Sequence, residues 1–533
     1  MAEPRHILRS LFDRDAGPAN YLIGRWIFLR ALGLIYFSAF FALLFQIKGL
    51  IGTDGILPAV SYLAGLHAAG AARFWYAPTL LWISASNHAL MALVWIGLVA
   101  SILVTLNLIP RPALILCFVC FLSFIAVAQD FGQYQSDGML LEAGFLSLFV
   151  APWGLRPGLG RNWLPSRAAY FLLLWEWFRI YFESGIVKLT SGDPTWRNFT
   201  ALYEYYQNGP LPTWIGWYLQ HLPNWFHQAT AGLTLAMELV LVFMAFVPRR
   251  GWRVATFAIV TVWQIGVIAT ANYAFLNYLV LVLAFLLLDD ETYARFFPFV
   301  TRLVQPQNPS LRYGMTQGEN GAKLRQHLAA LRTAITAVCL TTVAYVTTAE
   351  LIQEVWPAAP LFATPIVALD PFRIANAYGL FATMTPHRYE IEFQGSNDGQ
   401  TWTPYPFRYK PQDPHERPGI YAPYQPRFDW NLWFASLGPW QEAPIVPLTE
   451  QRLLEGDRDV LSLFAGDPFR NQPPKMVRAV LYQYWFSTPE EKRTQHVWWT
   501  RQWLGTYAPT LEHLPDGRYA MIAAPTLEGP PAP

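Results

Sequence analysis

The chain has 533 residues, with 38 Lys and Arg against 36 Asp and Glu and a net charge of +2. That balance leaves no electrostatic footprint for nucleic acid, so none is expected among the partners. Only 14% of residues are charged, against about 25% in soluble domains, so much of the surface faces something other than water.

The start, MAEPRHILRSLFDRDAGP, is charged and shows no cleavable signal. A helix needs about 20 mostly apolar residues to cross a bilayer. Candidate spans fall at 24–46, 88–109, 112–128, 138–152, 168–187, 229–247, 252–270, 272–288 and 332–350. The fourth is short and holds Glu142, which suits a half-buried or re-entrant segment. A tight turn at Ala271-Asn272 joins the seventh and eighth. Cys117, Cys120 and Cys339 all lie inside apolar runs. The Cys117/Cys120 spacing reads as buried apolar thiols more than as redox chemistry.

Loop Lys and Arg set orientation. With the N-terminal segment 1–23 in the cytoplasm, the inside loops carry Arg5, Arg9, Arg14, Arg111, Arg156, Arg161, Arg167, Arg249, Arg250 and Arg253. The linker 289–331 adds Arg295, Arg302, Arg312, Lys323 and Arg325. The longer outside loops, 47–87 and 188–228, carry few cations. The fold class predicted is a polytopic α-helical membrane protein of about eight or nine spans over 24–350. A β-rich extracytoplasmic domain with a few helices follows at 351–533.

Ionisable groups in the bilayer need partners or water. Glu176, Arg179 and Glu183 share one face of the fifth span at spacings of three and four. With Arg30 they form a predicted intramembrane polar network, which either fixes helix register or lines a hydrated pocket. Arg25 lies near Arg30, and Glu238 sits in the sixth span. KLTSGDPTWR, from Lys188, holds a turn around Asp193 at the outer interface. QDFGQYQSDGMLLEAG, residues 129–144, is a second dense polar patch. It reads as helix capping by Ser136 or Asp137, or as a polar mouth.

In the tail, Tyr389, Ile391 and Phe393 alternate with polar residues, the pattern of a half-buried strand. Asn397-Asp398-Gly399 predicts a hairpin turn, with Trp402, Tyr405, Phe407 and Tyr409 on the return strand. A Pro-rich wrap follows. LTEQRLLEGDRDVLSLF reads as helix, and MVRAVLYQYWF and HVWWTRQWLGTY as strands. There is no G-x-S-x-G, H-E-x-x-H or P-loop, no metal-ligand set, and no cofactor motif.

Several long strings resemble the lipase maturation factor family. They are YLIGRWIFLRALGLIYFSAF with IGTDGILP, YQSDGMLLEAGFLSLFVAPW, FESGIVKLTSGDPTWRN, RPGIYAPYQPRFDWNLWFASLG and WWTRQWLGTYAP. Together they cover roughly residues 20–510. The resemblance implies a multipass endoplasmic reticulum membrane protein that helps secreted lipases mature. Residue usage would also suit a bacterial inner membrane. The architecture is more weakly similar to vitamin-K-dependent γ-glutamyl carboxylases, which would make Lys188 a candidate base.

Two functional readings follow. In a folding factor, Tyr421, Tyr424, Phe428, Trp430, Trp433 and Phe434 would hold the apolar surface of a secreted client; the same aromatics could instead be the tail's own core. In a membrane enzyme, Lys188, Asp193, Asp137 and Glu142 would converge within hydrogen-bond reach.

Overall fold

The computed structural model describes residues 10–13, 17–298, 319–470, 472–527 and 529–530. Of the cytoplasmic charges counted above, Arg5, Arg9, Arg14, Arg302 and Arg312 lie outside the described residues, as do the side chains of Lys323 and Arg325.

Each predicted span contains a helix. They are α1 (Leu22–Ile51), α2 (Asn87–Thr105), α3 (Pro110–Ile125), α4 (Gln135–Val150), α5 (Arg167–Thr190), α6 (Asn224–Leu239), α7 (Arg250–Thr270), α8 (Leu276–Ala284) and α9 (Glu319–Val355). Local chemistry sets their limits. Ser86 and Ser166 cap α2 and α5 through their hydroxyls, and Pro110 opens α3, where its missing N–H costs nothing.

Five helical stretches are long and apolar enough to cross a membrane: α1, α2, α6 with its continuation to Phe246, α7, and residues 327–355 of α9. The remaining four differ for physical reasons. α3 has 16 residues, and α8 with its 3-10 extension ends at Leu287. α4 is largely buried, and α5 carries four ionisable groups that other protein surrounds. The bundle packs closely where side chains are missing: a Cβ at Gly97 would strike the Phe40 ring.

The two ends of the bundle differ. At one end, Asp290 accepts from the Leu22 and Ile23 N–H groups, and Arg25 donates to Trp163 O at 2.6 Å. The other end carries the tail: Arg452 donates to Gly55 O at 3.0 Å, Trp217 to Ser487 O at 3.1 Å, and Asn272 to Gly419 O at 3.0 Å.

The tail holds an antiparallel sheet of β1 (Arg388–Ser396), β2 (Thr403–Pro404), β3 (Met476–Phe486), β4 (Trp499–Thr506), β5 (Thr510–His513) and β6 (Tyr519–Ala523). The order is β2-β1-β3-β5-β6, with β4 also paired to β3. β1 and β3 run in full register from Arg388 opposite Tyr484 to Ser396 opposite Met476. Helices α10 (Arg427–Ala435) and α11 (Ile445–Glu455) pack on this sheet.

Two expectations for the tail need correction. β1 is buried along its whole length rather than on one face. Its polar residues face an internal charge cluster, in which Lys410 pairs with Glu390 at 2.8 Å and Gln412 donates to Glu392 at 3.0 Å. The return strand pairs only at Thr403–Pro404. Tyr405 and Phe407 turn into the core against Phe464 instead, at ring separations of 5.5 and 5.4 Å.

Candidate functional site

After α9 the chain does not go directly to the sheet. Residues 373–385 fold back as a strap over the tail-side ends of α4 and α5, and the predicted polar residues are found beneath it.

Arg179 and Glu142 pair with both side chains buried, and Arg179 lies 3.6 Å from Glu183. Charge in so dry a place needs every remaining polar atom met, and the strap supplies the partners. Asn376 N and Tyr378 OH donate to Glu142 Oε2 at 3.0 and 2.8 Å. Tyr378 N donates to Glu183 Oε2 at 2.7 Å, and Arg179 donates to Asn376 O at 2.5 Å. The Arg179 guanidinium also stacks over the Tyr378 ring at 5.0 Å.

Glu176 lies within electrostatic reach of Glu142 and Arg179 without pairing to either, and Arg30 takes no part. Both Glu176 carboxyl oxygens are buried without a hydrogen-bond partner among the described residues. Arg30 donates to Val104 O at 2.6 Å and lies over Trp26. The ion-paired part of the predicted four-membered network is thus Arg179 between two glutamates, completed by backbone and side chains from 195 to 236 residues away.

Farther along α5, Lys188 is buried and gives its three N–H groups to Ser184 O (3.2 Å), Glu238 (3.0 Å) and Leu380 O (2.9 Å). Asp193 accepts from Thr195 N at 2.8 Å and Met384 N at 2.7 Å. Burial pushes the Asp193 carboxyl up, but these hydrogen bonds outweigh it and hold the group below the usual carboxylate range. Trp196 donates to Phe381 O at 2.9 Å. The whole FESGIVKLTSGDPTW string is therefore a cradle for the strap.

Asp137 is not a cap; Tyr134 holds the N-cap position of α4. Its carboxylate takes both Nη groups of the buried Arg427 from α10, each at 2.7 Å. Arg427 also donates to Phe131 O at 2.6 Å, and its own N–H to Gln46 Oε1 at 2.8 Å. A bidentate, desolvated pair of this kind is strong and directional.

Lys188, Asp193, Asp137 and Glu142 therefore each hold a different partner and make no hydrogen bond or ion pair with one another. The three donors of Lys188 are spent on Glu238 and two carbonyls. Among the described residues no group of three or more His, Cys, Asp or Glu is placed to hold a metal ion.

The six predicted client-binding aromatics divide. Phe428, Trp430 and Trp433 are buried, Tyr421 and Tyr424 are half-buried, and Phe434 is 48% exposed. Trp430, Trp433 and Phe434 nevertheless line a crevice of about 670 Å³ between tail and bundle, together with Tyr134, Gln135 and Ser136. The Trp430 and Trp433 indole nitrogens and the Ser136 hydroxyl are buried there without hydrogen-bond partners among the described residues.

The residues sequence reasoning missed are Asn376, Tyr378 and Arg427. Arg427 lies inside a string quoted for the resemblance, and the charges of Arg427 and Asp429 among Phe428, Trp430 and Trp433 are a usable signal. NAYGLF, residues 376–381, has no periodicity to mark it.

Helices that span a membrane, with buried charges closed by a strap leading into a docked sheet domain, define a polytopic membrane protein with a fixed appendage. Residues 23–295 match the lipase maturation factor transmembrane domain, and residues 374–509 match the lipase maturation factor C-terminal domain. The second match begins where the strap begins. The chain is 32% identical to lipase maturation factor 2 of Gallus gallus over 95% of this chain and 82% of that protein. It is 31% identical to lipase maturation factor 2 of Homo sapiens (96% and 84%) and 31% identical to lipase maturation factor 1 of Bos taurus (92% and 89%). The chain belongs to the lipase maturation factor family. No solved structure matches it.

Proposed function

We propose that this protein is a membrane-tethered maturation factor for secreted clients, lipases among them, and that the client is met on the tail side of the bundle. Membership in the family across both domains carries the reading. The crevice beneath the tail adds to it, because its aromatic walls suit an apolar segment. Exposed Phe434 at the rim is the residue placed to meet it first.

In this reading nine crossings, segment 1–23 in the cytoplasm and a break near residue 351 put the tail on the lumenal or periplasmic side. Supporting this, Arg156, Arg161 and Arg249 on loops, and Arg250 and Arg253 in the first turn of α7, lie at the end away from the tail. The membrane is that of the endoplasmic reticulum or the bacterial inner membrane. The reading calls for neither a catalytic step nor a resident cofactor.

The test is co-expression with a secreted lipase in cells lacking their own maturation factor, reading lipase activity per unit of lipase protein. Active yield should rise severalfold with the wild-type chain and fall back with Phe434→Asp, while the variant keeps wild-type protease resistance. Unchanged yield in that variant would remove the crevice from the reading. No rise with the wild-type chain would remove the reading itself.

A further inference from the structure

A second cavity, of about 730 Å³, lies among α5, α6, α7 and α8, within the roughly 300–1,000 Å³ usual for small-molecule sites. Most of its wall is aliphatic or aromatic. Leu233 of α6 and Ile259 and Val262 of α7 line it, and these side chains are also 62%, 47% and 73% exposed. Both helices belong to stretches long and apolar enough to cross a membrane. The cavity mouth therefore opens sideways, toward acyl chains rather than water.

The polar groups at its inner end carry no net charge to spare. Lys188 is neutralised by Glu238 and has committed all three donors. Beside them runs an uncharged chain: Asn277 Nδ2 donates to Gln264 Oε1 at 2.7 Å, and Gln264 Nε2 to the Tyr181 hydroxyl at 2.6 Å. That leaves the Tyr181 proton to donate. Leu380 and Phe381 of the strap line this cavity and also the crevice beneath the tail. Phe381 sits at φ 57°, an uncommon conformation for an aromatic residue. Its ring packs 5.1 Å from Tyr273 and 5.8 Å from Tyr205.

We propose that this cavity binds the acyl chains of an uncharged lipid, such as a diacylglycerol, that enters sideways between α6 and α7. Apolar lining alone gives no preference over the surrounding bilayer, which is equally apolar, so selection rests on the polar end. A phosphate there would be desolvated with no free cation to meet it. An ester carbonyl or hydroxyl needs only the uncharged donors and acceptors of Tyr181 and Asn277. Leu380 and Phe381 then separate the lipid from the outer crevice, so the strap forms a wall of both sites.

The experiment uses the full chain in phosphatidylcholine nanodiscs with a photoactivatable diacylglycerol, and in parallel a photoactivatable phosphatidylglycerol. Cross-linked peptides are mapped by mass spectrometry. The diacylglycerol probe should label cavity-lining peptides of α6 and α7 at least tenfold more than the anionic probe. Gly266 lines the cavity, and a Cβ there meets no heavy atom within 4 Å. Gly266→Phe should therefore fill the space, keep the fold and remove the labelling, with Gly266→Leu intermediate. Gly251→Phe, on the same helix with equal room but away from the cavity, should label as wild type. Equal labelling by the two probes, or labelling that survives Gly266→Phe, would show annular lipid only and overturn the proposal.

Discussion

Two buried charge clusters flank the joint between bundle and tail, and they are completed in opposite ways. In the bundle, helices supply Glu142, Arg179 and Glu183, and the strap supplies neutral donors and one carbonyl. In the tail, the sheet and its wrap supply Arg388, Glu390 and Lys410, and the bundle loop supplies the carbonyls of Gln207, Gly209 and Pro210. In each case the ions pair within one unit, and the other unit satisfies what is left over. Neither unit can shed the other without leaving polar atoms dry, so the tail is a fixed appendage rather than a tethered one.

The clusters differ in redundancy. Arg179 is the only cation in ion-pair reach of Glu142 and Glu183 among the described residues, whereas Glu390 touches both Arg388 and Lys410. Arg179→Met should therefore have the largest effect, about 3–5 kcal/mol, because two carboxylates stay buried without a counter-ion. Denaturant titration in micelles would measure it, and protease cleavage in 356–387 should rise as the strap lifts. Arg388→Met leaves Lys410 on Glu390 and mainly orphans three carbonyls, for about 1–3 kcal/mol. Equal losses in the two variants would break the comparison.

Asp429 sharpens it on the tail side. Burial lifts its carboxyl to about 6, against hydrogen bonds from the Lys410 and Tyr409 N–H groups and the Lys410 charge. A carboxyl raised in the folded state favours folding while protonated, and that advantage is lost as pH rises from about 4 through 6. Wild-type stability should fall across that window by up to about 1.4 kcal/mol per pH unit. Asp429→Asn should flatten the slope, and an unchanged slope would place its origin elsewhere.

Much of this architecture was legible because hydrophobicity is a local signal. Every predicted span contains a helix, and MVRAVLYQYWF and the 397–399 turn are where the patterns put them. What stayed hidden was pairing at long range. The charges on α5 were visible, but their partners Asn376 and Tyr378 lie in a stretch with no period. Asp137 read as a cap because its partner, Arg427, is 290 residues away. Glu390 and Glu392 read as solvent-facing because alternation reports polarity and cannot distinguish water from a buried Lys410.

The smallest effect lies on the same strand as Glu390, where β1 emerges into the hairpin. Asp398 is fully exposed, and its carboxylate accepts from Thr401 N at 2.7 Å and Gln400 N at 2.8 Å, with Ser396 as a further donor. Those N–H groups hold its carboxyl down at about 2. The sign is opposite to that of Asp429. A depressed carboxyl stabilises fully above its ordinary value near 4, and that contribution is lost as pH falls toward 2. Hydrogen exchange of the 396–404 peptide in the full chain, corrected for intrinsic rates, should show protection of the turn falling between pH 4 and pH 2. Asp398→Asn should start lower and stay flat over the same range. The remainder of β1, paired along its length with β3, should not respond. If protection of β1 fell together with the turn, the buried cluster would depend on the hairpin, and the separation drawn between exposed and buried charge on this strand would fail.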